Sequence, residues 1–156
     1  MKVHEVEPEV DTSTLLAGAQ FSDAFRVATG HTALDARRAA EKMLGRSPRW
    51  VRTLIALRNL IVAPLGLKTS GADSGVADII GLFPVLSQTS DRLVAGFDDS
   101  HLDFRVVVDV ATADRGQRVT ATTLVLTHNW IGRIYLAIIL PFHRLVVRSM
   151  LRQVAA

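Results

Sequence analysis

Apolar and polar positions change their spacing along the chain, and the changes mark out the elements. In Ala19–Thr29, Phe21, Phe25 and Val27 share one face while Ser22 and Arg26 lie on the other, the alternation of a half-buried strand. Asp23 is the exception on the apolar face, and Gly30 breaks the run. Thr32 reads as a helix N-cap, with Asp35 three residues later near the positive end of the helix dipole. Ala33–Leu44 is rich in helix formers and stops at Gly45. Ser47 and Pro48 restart a helix that runs from about Arg49 to Val62, with Trp50, Leu54, Leu57 and Ile61 at helical spacing and Val51, Ile55 and Leu60 widening the stripe. Pro64 and Gly66 end it, and Lys68–Gly75 is a loop.

From there the period becomes two. Ile79–Ser87 is apolar on both faces, and its Pro84 predicts an edge position or a bulge. Arg92–Asp98 places Leu93, Ala95 and Phe97 inward, and Asp98, Asp99 and Ser100 supply turn chemistry. In Leu102–Val110, Leu102, Phe104, Val106, Val108 and Val110 share one face, with Asp103, Arg105 and Asp109 on the other. Ala113–Gln117 predicts a hairpin turn, and Arg118–His128, rich in threonine and valine, the returning strand. Trp130 to about Val154 predicts one long helix. Its projection puts Arg133, Ala137, Pro141, Arg144, Arg148 and Arg152 on one side and Tyr135, Ile138, Ile139, Phe142, Val146 and Met150 on the other. Pro141 lacks an amide hydrogen and predicts a kink.

Consecutive strands followed by a helix predict an α+β domain with the helix on one sheet face. A curved antiparallel sheet wrapped around a long C-terminal helix, with two short helices after the first strand, resembles the helix-grip fold, also called START-like or pollen-allergen-like. Residues 1–14 read as an acidic N-terminal tail and residues 15–156 as a single domain of this kind.

Four strings carry a closer resemblance: Phe83–Leu86 (FPVL), Asp98–Arg105 (DDSHLDFR), Thr127–Tyr135 (THNWIGRIY) and Leu140–Arg144 (LPFHR). Together they resemble a bacterial family catalogued as a domain of unknown function, found alone or appended to NAD(P)-dependent short-chain reductase-like domains. The resemblance runs over nearly the whole chain from Leu15. It implies a START-like fold, with no established activity to carry over; without a nucleotide-binding domain the chain looks like the stand-alone form, for which a separate reductase is one candidate partner.

Composition narrows the chemistry. The 156 residues are 49% hydrophobic and 21% charged, enough apolar surface for one packed domain and unlike a disordered chain. The absence of cysteine excludes disulfides, thiolate metal sites and cysteine nucleophiles. The formal charge of +3 is unevenly spread: Glu5, Glu7, Glu9 and Asp11 crowd the N-terminal end, whereas Arg115 to Ala156 holds six arginines and no carboxylate. The opening residues lack the apolar core of a signal peptide. The membrane-like stretch Ile134–Phe142 falls short of the ~20 residues a span requires. A cytoplasmic protein with no integral membrane association is therefore expected.

A pocket between the sheet and the last helix is the leading functional expectation, since ligand sites are mostly apolar with a few orienting polar groups. Its expected ligand-binding residues are Phe97, Phe104, Val106, Tyr135, Ile138, Phe142, His143 and Val146, with Trp50 and Leu54 from the second helix. His143 either bonds a carbonyl freed by Pro141 or lines the pocket. His101 and Asp103, two apart on a strand, read as an outward structural pair. His128 and Asn129 stand at a strand-to-helix junction where asparagine suits an N-cap. HExxH, GxGxxG, Walker and GxSxG patterns are absent, so no metal and no cofactor is expected. One arginine stripe without interleaved aromatics predicts no nucleic-acid partner. The expected partner is an apolar or amphipathic small molecule. The alternatives are a cyclase, dehydratase or hydrolase-type enzyme using the same pocket, which needs a converging acid and base, and a peripheral lipid-handling protein.

Overall fold

In a computed structural model, the chain is described over residues 3–30, 33–44, 79–80, 83–98, 102–114 and 116–155. In chain order the elements are β1 (His4–Val6), α1 (Thr12–Leu15), β2 (Phe21–Thr29), α2 (Ala36–Leu44), β3 (Ile79–Ile80), β4 (Phe83–Gln88), β5 (Arg92–Asp98), β6 (Leu102–Ala113), β7 (Gly116–Thr127) and α3 (Trp130–Ala155). The strands form one antiparallel order, β1-β2-β7-β6-β5-β4-β3. The first long strand thus sits beside the last, and α2 and α3 pack against the same curved sheet and against each other. This is the expected α+β, helix-grip arrangement. The second short helix, with Trp50 and Leu54, lies outside the described residues.

Registers explain which side chains meet. Aligned rows cross β2, β7, β6 and β5: Val27, Val119 and Val110; then Phe25, Ala121, Val108 and Leu93; then Asp23, Thr123, Val106 and Ala95. The valine and phenylalanine rows are fully or almost fully buried. They are covered by Ala36, Ala39, Ala40 and Met43 of α2 and by Val147, Met150, Leu151 and Val154 of α3. The spacing of three and four in both helices gives one inward face, and the alanines let α2 come close to the sheet. Ala24, Val107 and Leu124 face the other way and are also buried, so the central strands are covered on both sides.

Local chemistry sets the boundaries. Asp35 caps α2, its Oδ1 accepting from the Arg38 amide at 2.7 Å. The cap expected at Thr32 lies outside the described residues. Asn129 caps α3 as expected, accepting from the Gly132 amide at 3.1 Å. The stretch Ile79–Ser87, read as one strand, is instead a hairpin in which Ile79 pairs with Pro84 and Ile80 with Phe83. A register shift between Val85 and Ser87 fits the expectation for proline, and leaves Leu86 half exposed. The hairpin turn is tighter than Ala113–Gln117, because β6 and β7 pair as far as Ala113 and Gly116. Residues His4–Val6, read as tail, pair with β2, and Val3 is buried. Helix α3 continues through Pro141. Over Trp130–Val154 it is long and apolar enough to cross a membrane by length and composition, a longer stretch than the one marked in the sequence.

One side chain clips α2 to the sheet. The Gln117 amide oxygen accepts from the Leu34 amide and its nitrogen donates to the Leu34 carbonyl, both at 2.9 Å. Replacing Gln117 with alanine leaves both Leu34 groups unpaired and should cost about 1–3 kcal/mol in a denaturant titration. Gln117→Glu keeps the acceptor alone and should fall between.

Candidate functional site

The row beyond Asp23 and Thr123 is where packing changes. Phe21, Val125 and Phe104 align across β2, β7 and β6, but the helix above them leaves a gap. The result is a cavity of about 60 Å³. From the sheet it is lined by Phe21, Leu102, Phe104, Thr123 and Val125, and from α3 by Tyr135, Leu136, Ile139, Leu140 and His143. The lining is overwhelmingly apolar, so the polar groups in it stand out.

They are Thr123, Tyr135 and His143, and the His143 imidazole is held by a buried partner. Its Nε2 lies 3.1 Å from Asp23 Oδ1 in hydrogen-bond geometry and 3.0 Å from Oδ2. The two side chains are only 13% and 6% exposed. Oδ2 is buried with no hydrogen-bond partner among the described residues. An ionised carboxylate can only accept, so in that state Nε2 is the donor, and Nδ1 remains either the acceptor of a neutral ring or the second donor of an imidazolium. Phe21 packs its ring edge-to-face on the imidazole, with centroids 6.0 Å apart at 82°. Two side chains of β2, Asp23 and Phe21, therefore hold the ring in place at the boundary between filled core and cavity.

The anomaly in the β2 pattern is thereby explained. Asp23 occupies an inward position because its partner arrives from α3, 120 residues later. Of the two roles open to His143, it lines the cavity. The Ala137 carbonyl left without a helical amide by Pro141 is not what it bonds.

The expected site residues divide by row and helix face. Phe104, Tyr135 and His143 line the cavity. Val106 is buried in the filled core and Val146 packs against it. Phe97 is registered opposite Phe104 in the ladder. Ile138 and Phe142 are turned outward, 53% and 47% exposed, which corrects their placement in the pocket. The inward face of α3 is fixed by Val147, Met150, Leu151 and Val154. At 100° per residue, His143, Leu140, Ile139 and Leu136 lie within about 70° of the mean direction of these four, whereas Phe142 and Ile138 lie about 130–170° from it. The expected set omits Asp23 and the cavity-lining Phe21, Leu102, Thr123, Val125, Leu136, Ile139 and Leu140; the misplaced carboxylate is the available signal for the first.

A second imidazole–carboxylate pair joins Asp103 to His128 Nε2 at 2.9 Å, in a more exposed setting; His101, the partner expected for Asp103, lies outside the described residues. Among those residues no three histidines and carboxylates gather in a way that could hold a metal.

In comparison with known proteins, residues 15–150 fit a family model described as "Protein of unknown function (DUF2867)". No curated protein matches the chain, and no solved structure does.

Proposed function

The chain belongs to this family, and from its own geometry we propose that it binds a small apolar or amphipathic molecule between the sheet and α3. The observation that carries this reading is the buried His143–Asp23 pair at the wall of a mostly apolar cavity. Apolar area on Phe21, Phe104 and Ile139 supplies affinity without direction. The imidazole supplies direction, presenting one polar atom to a hydroxyl, carboxylate or amide on the ligand. A cavity of about 60 Å³ is smaller than the 150 Å³ that accommodates benzene in an engineered core. A ligand of drug-like size therefore enters by lifting the N-terminal half of α3 from the sheet. That half is the one whose packing is incomplete.

Native mass spectrometry of protein purified from its own host tests this. The expected result is a stoichiometric adduct that disappears on mild denaturation. It should be lost in the cavity-filling variant Val125→Phe and retained in the outward variant Ile138→Asp. An adduct indifferent to Val125→Phe, or an apo mass in every preparation, counts against the reading.

The same pair favours a second reading, an acid–base enzyme of the cyclase, dehydratase or hydrolase kind. A carboxylate held against one ring nitrogen fixes orientation and tautomer, as catalytic histidines require. Turnover abolished in His143→Gln with the adduct retained would establish it, and a ligand recovered chemically unchanged after prolonged incubation would remove it.

A further inference from the structure

We propose that the outward face of the N-terminal half of α3 docks on an anionic lipid bilayer, with the helix lying in the plane of the interface. Trp130, Ile134, Ile138, Phe142 and Leu145 are 47–66% exposed. Four of them follow at intervals of four, and Leu145 lies one turn beyond the fourth, Phe142. Together they form a ridge about 22 Å long on one side of the helix. Single exposed apolar residues are ordinary, but a contiguous row of large ones marks an interaction surface.

Charge identifies the occupant. Arg133 and Arg144 project about 40–60° to one side of Trp130 on the helical wheel, along one flank of the ridge, and both are exposed. Arg152 is exposed beyond its end. No carboxylate occurs from Arg115 to the last residue. The acid that reaches this flank is Glu5 of β1, 3.5 Å from Arg144 with both groups exposed. Such a pair is weak and yields readily to a phosphate. Trp130, the most exposed of the row, stands at one end, and tryptophan favours the boundary between headgroups and acyl chains. An apolar face bordered by arginines is the pattern of a helix lying in an anionic interface.

Two other occupants fit less well. A second copy docked face to face would bring together arginine-flanked helices that carry no acid between them. A spanning orientation would strip Val147, Met150, Leu151 and Val154 from the core and separate His143 from Asp23, because the inward face of the helix is already committed to the sheet.

The test is cosedimentation of the full chain with vesicles of phosphatidylcholine, alone or mixed equally with phosphatidylglycerol, at low and high salt. Binding is expected to the anionic vesicles, weakened by salt, and far less to phosphatidylcholine alone. Losing two apolar anchors in Ile138→Asp/Phe142→Asp should weaken it at least about tenfold. Arg133→Gln and Arg144→Gln should each weaken it about fivefold. These positions are exposed, and unchanged circular dichroism would show that the fold is kept. Absence of binding at low salt, or equal binding by the aspartate variant, overturns the proposal. So does a dimer that the aspartate variant dissociates, which would make the ridge an interface between copies. Protein that resists alkaline carbonate extraction from host membranes would overturn it too, in favour of a span.

Discussion

Replacing Gly96 with alanine should destabilise the protein by about 3 kcal/mol or more, placing it among the most damaging single-methyl additions available to the chain. Gly96 lies in the middle of β5 with φ of 153°, opposite Arg105 on β6. A Cβ there would stand 2.1 Å from the Phe104 carbonyl oxygen and 3.0 Å from the Arg105 Cα. Both atoms are backbone in a paired central strand, so relief requires the ladder itself to open. The register of Phe104, which lines the cavity, would shift with it. Thermal denaturation should show a midpoint lowered by roughly 6–12 °C for a domain of this size. Gly30→Ala is the control. Its Cβ would meet nothing within 4 Å, and its midpoint should stay near that of the parent protein. Equal stability of the two variants would show that β5 and β6 do not approach each other this closely.

The buried pair should give the other large effect. His143→Leu leaves the Asp23 carboxylate without its hydrogen-bond partner at 6% exposure, which should cost about 3 kcal/mol. Asp23→Leu leaves the imidazole in the reciprocal position and should cost a comparable amount. The double variant removes both polar groups together. It should be more stable than the sum of the single losses predicts, by about 1–3 kcal/mol. Chemical denaturation of the four proteins in a double-mutant cycle measures that coupling. Strict additivity would show that the two groups stabilise the fold separately, and would leave His143 without an orienting partner.

Much of the fold was legible because period-two patterning and turn chemistry agree. The bounds of β5 are those expected, Arg92–Asp98, and α3 begins at Trp130 behind its asparagine cap. Where a single residue arbitrates between alternatives, legibility failed. Ile79–Ser87 contains two short strands because Pro84 takes a place opposite Ile79, and periodicity cannot distinguish one strand from a hairpin this short.

The site was harder still to read. Helix α3 is apolar around much of its circumference in its first half, so projection alone leaves its rotation undetermined by about 100°, the step of one residue. Ile138 and Phe142 were thus assigned inward, whereas Leu136, Leu140 and His143 hold that position. Rotation is settled by the C-terminal half, where the apolar stripe narrows to Val147, Met150, Leu151 and Val154. Asp23 was visible as an anomaly but not as a partner. Nothing local connects it with a histidine on another element.

That separation governs how the site comes into being. Strands β4 to β7 pair with their neighbours in sequence, so they can zip up from short loops. Strand β2 has to wait for β7, with Phe21 pairing to Val125, and contacts closed over such spans are slow to form. His143 and Asp23 meet only after β2 has joined the sheet and α3 has come down upon it. In a nascent chain released before α3 is made, Asp23 has no imidazole and the cavity has no roof. Folding rate and acquisition of the site are accordingly coupled at one late step, and a probe at His143 would report the last event of assembly.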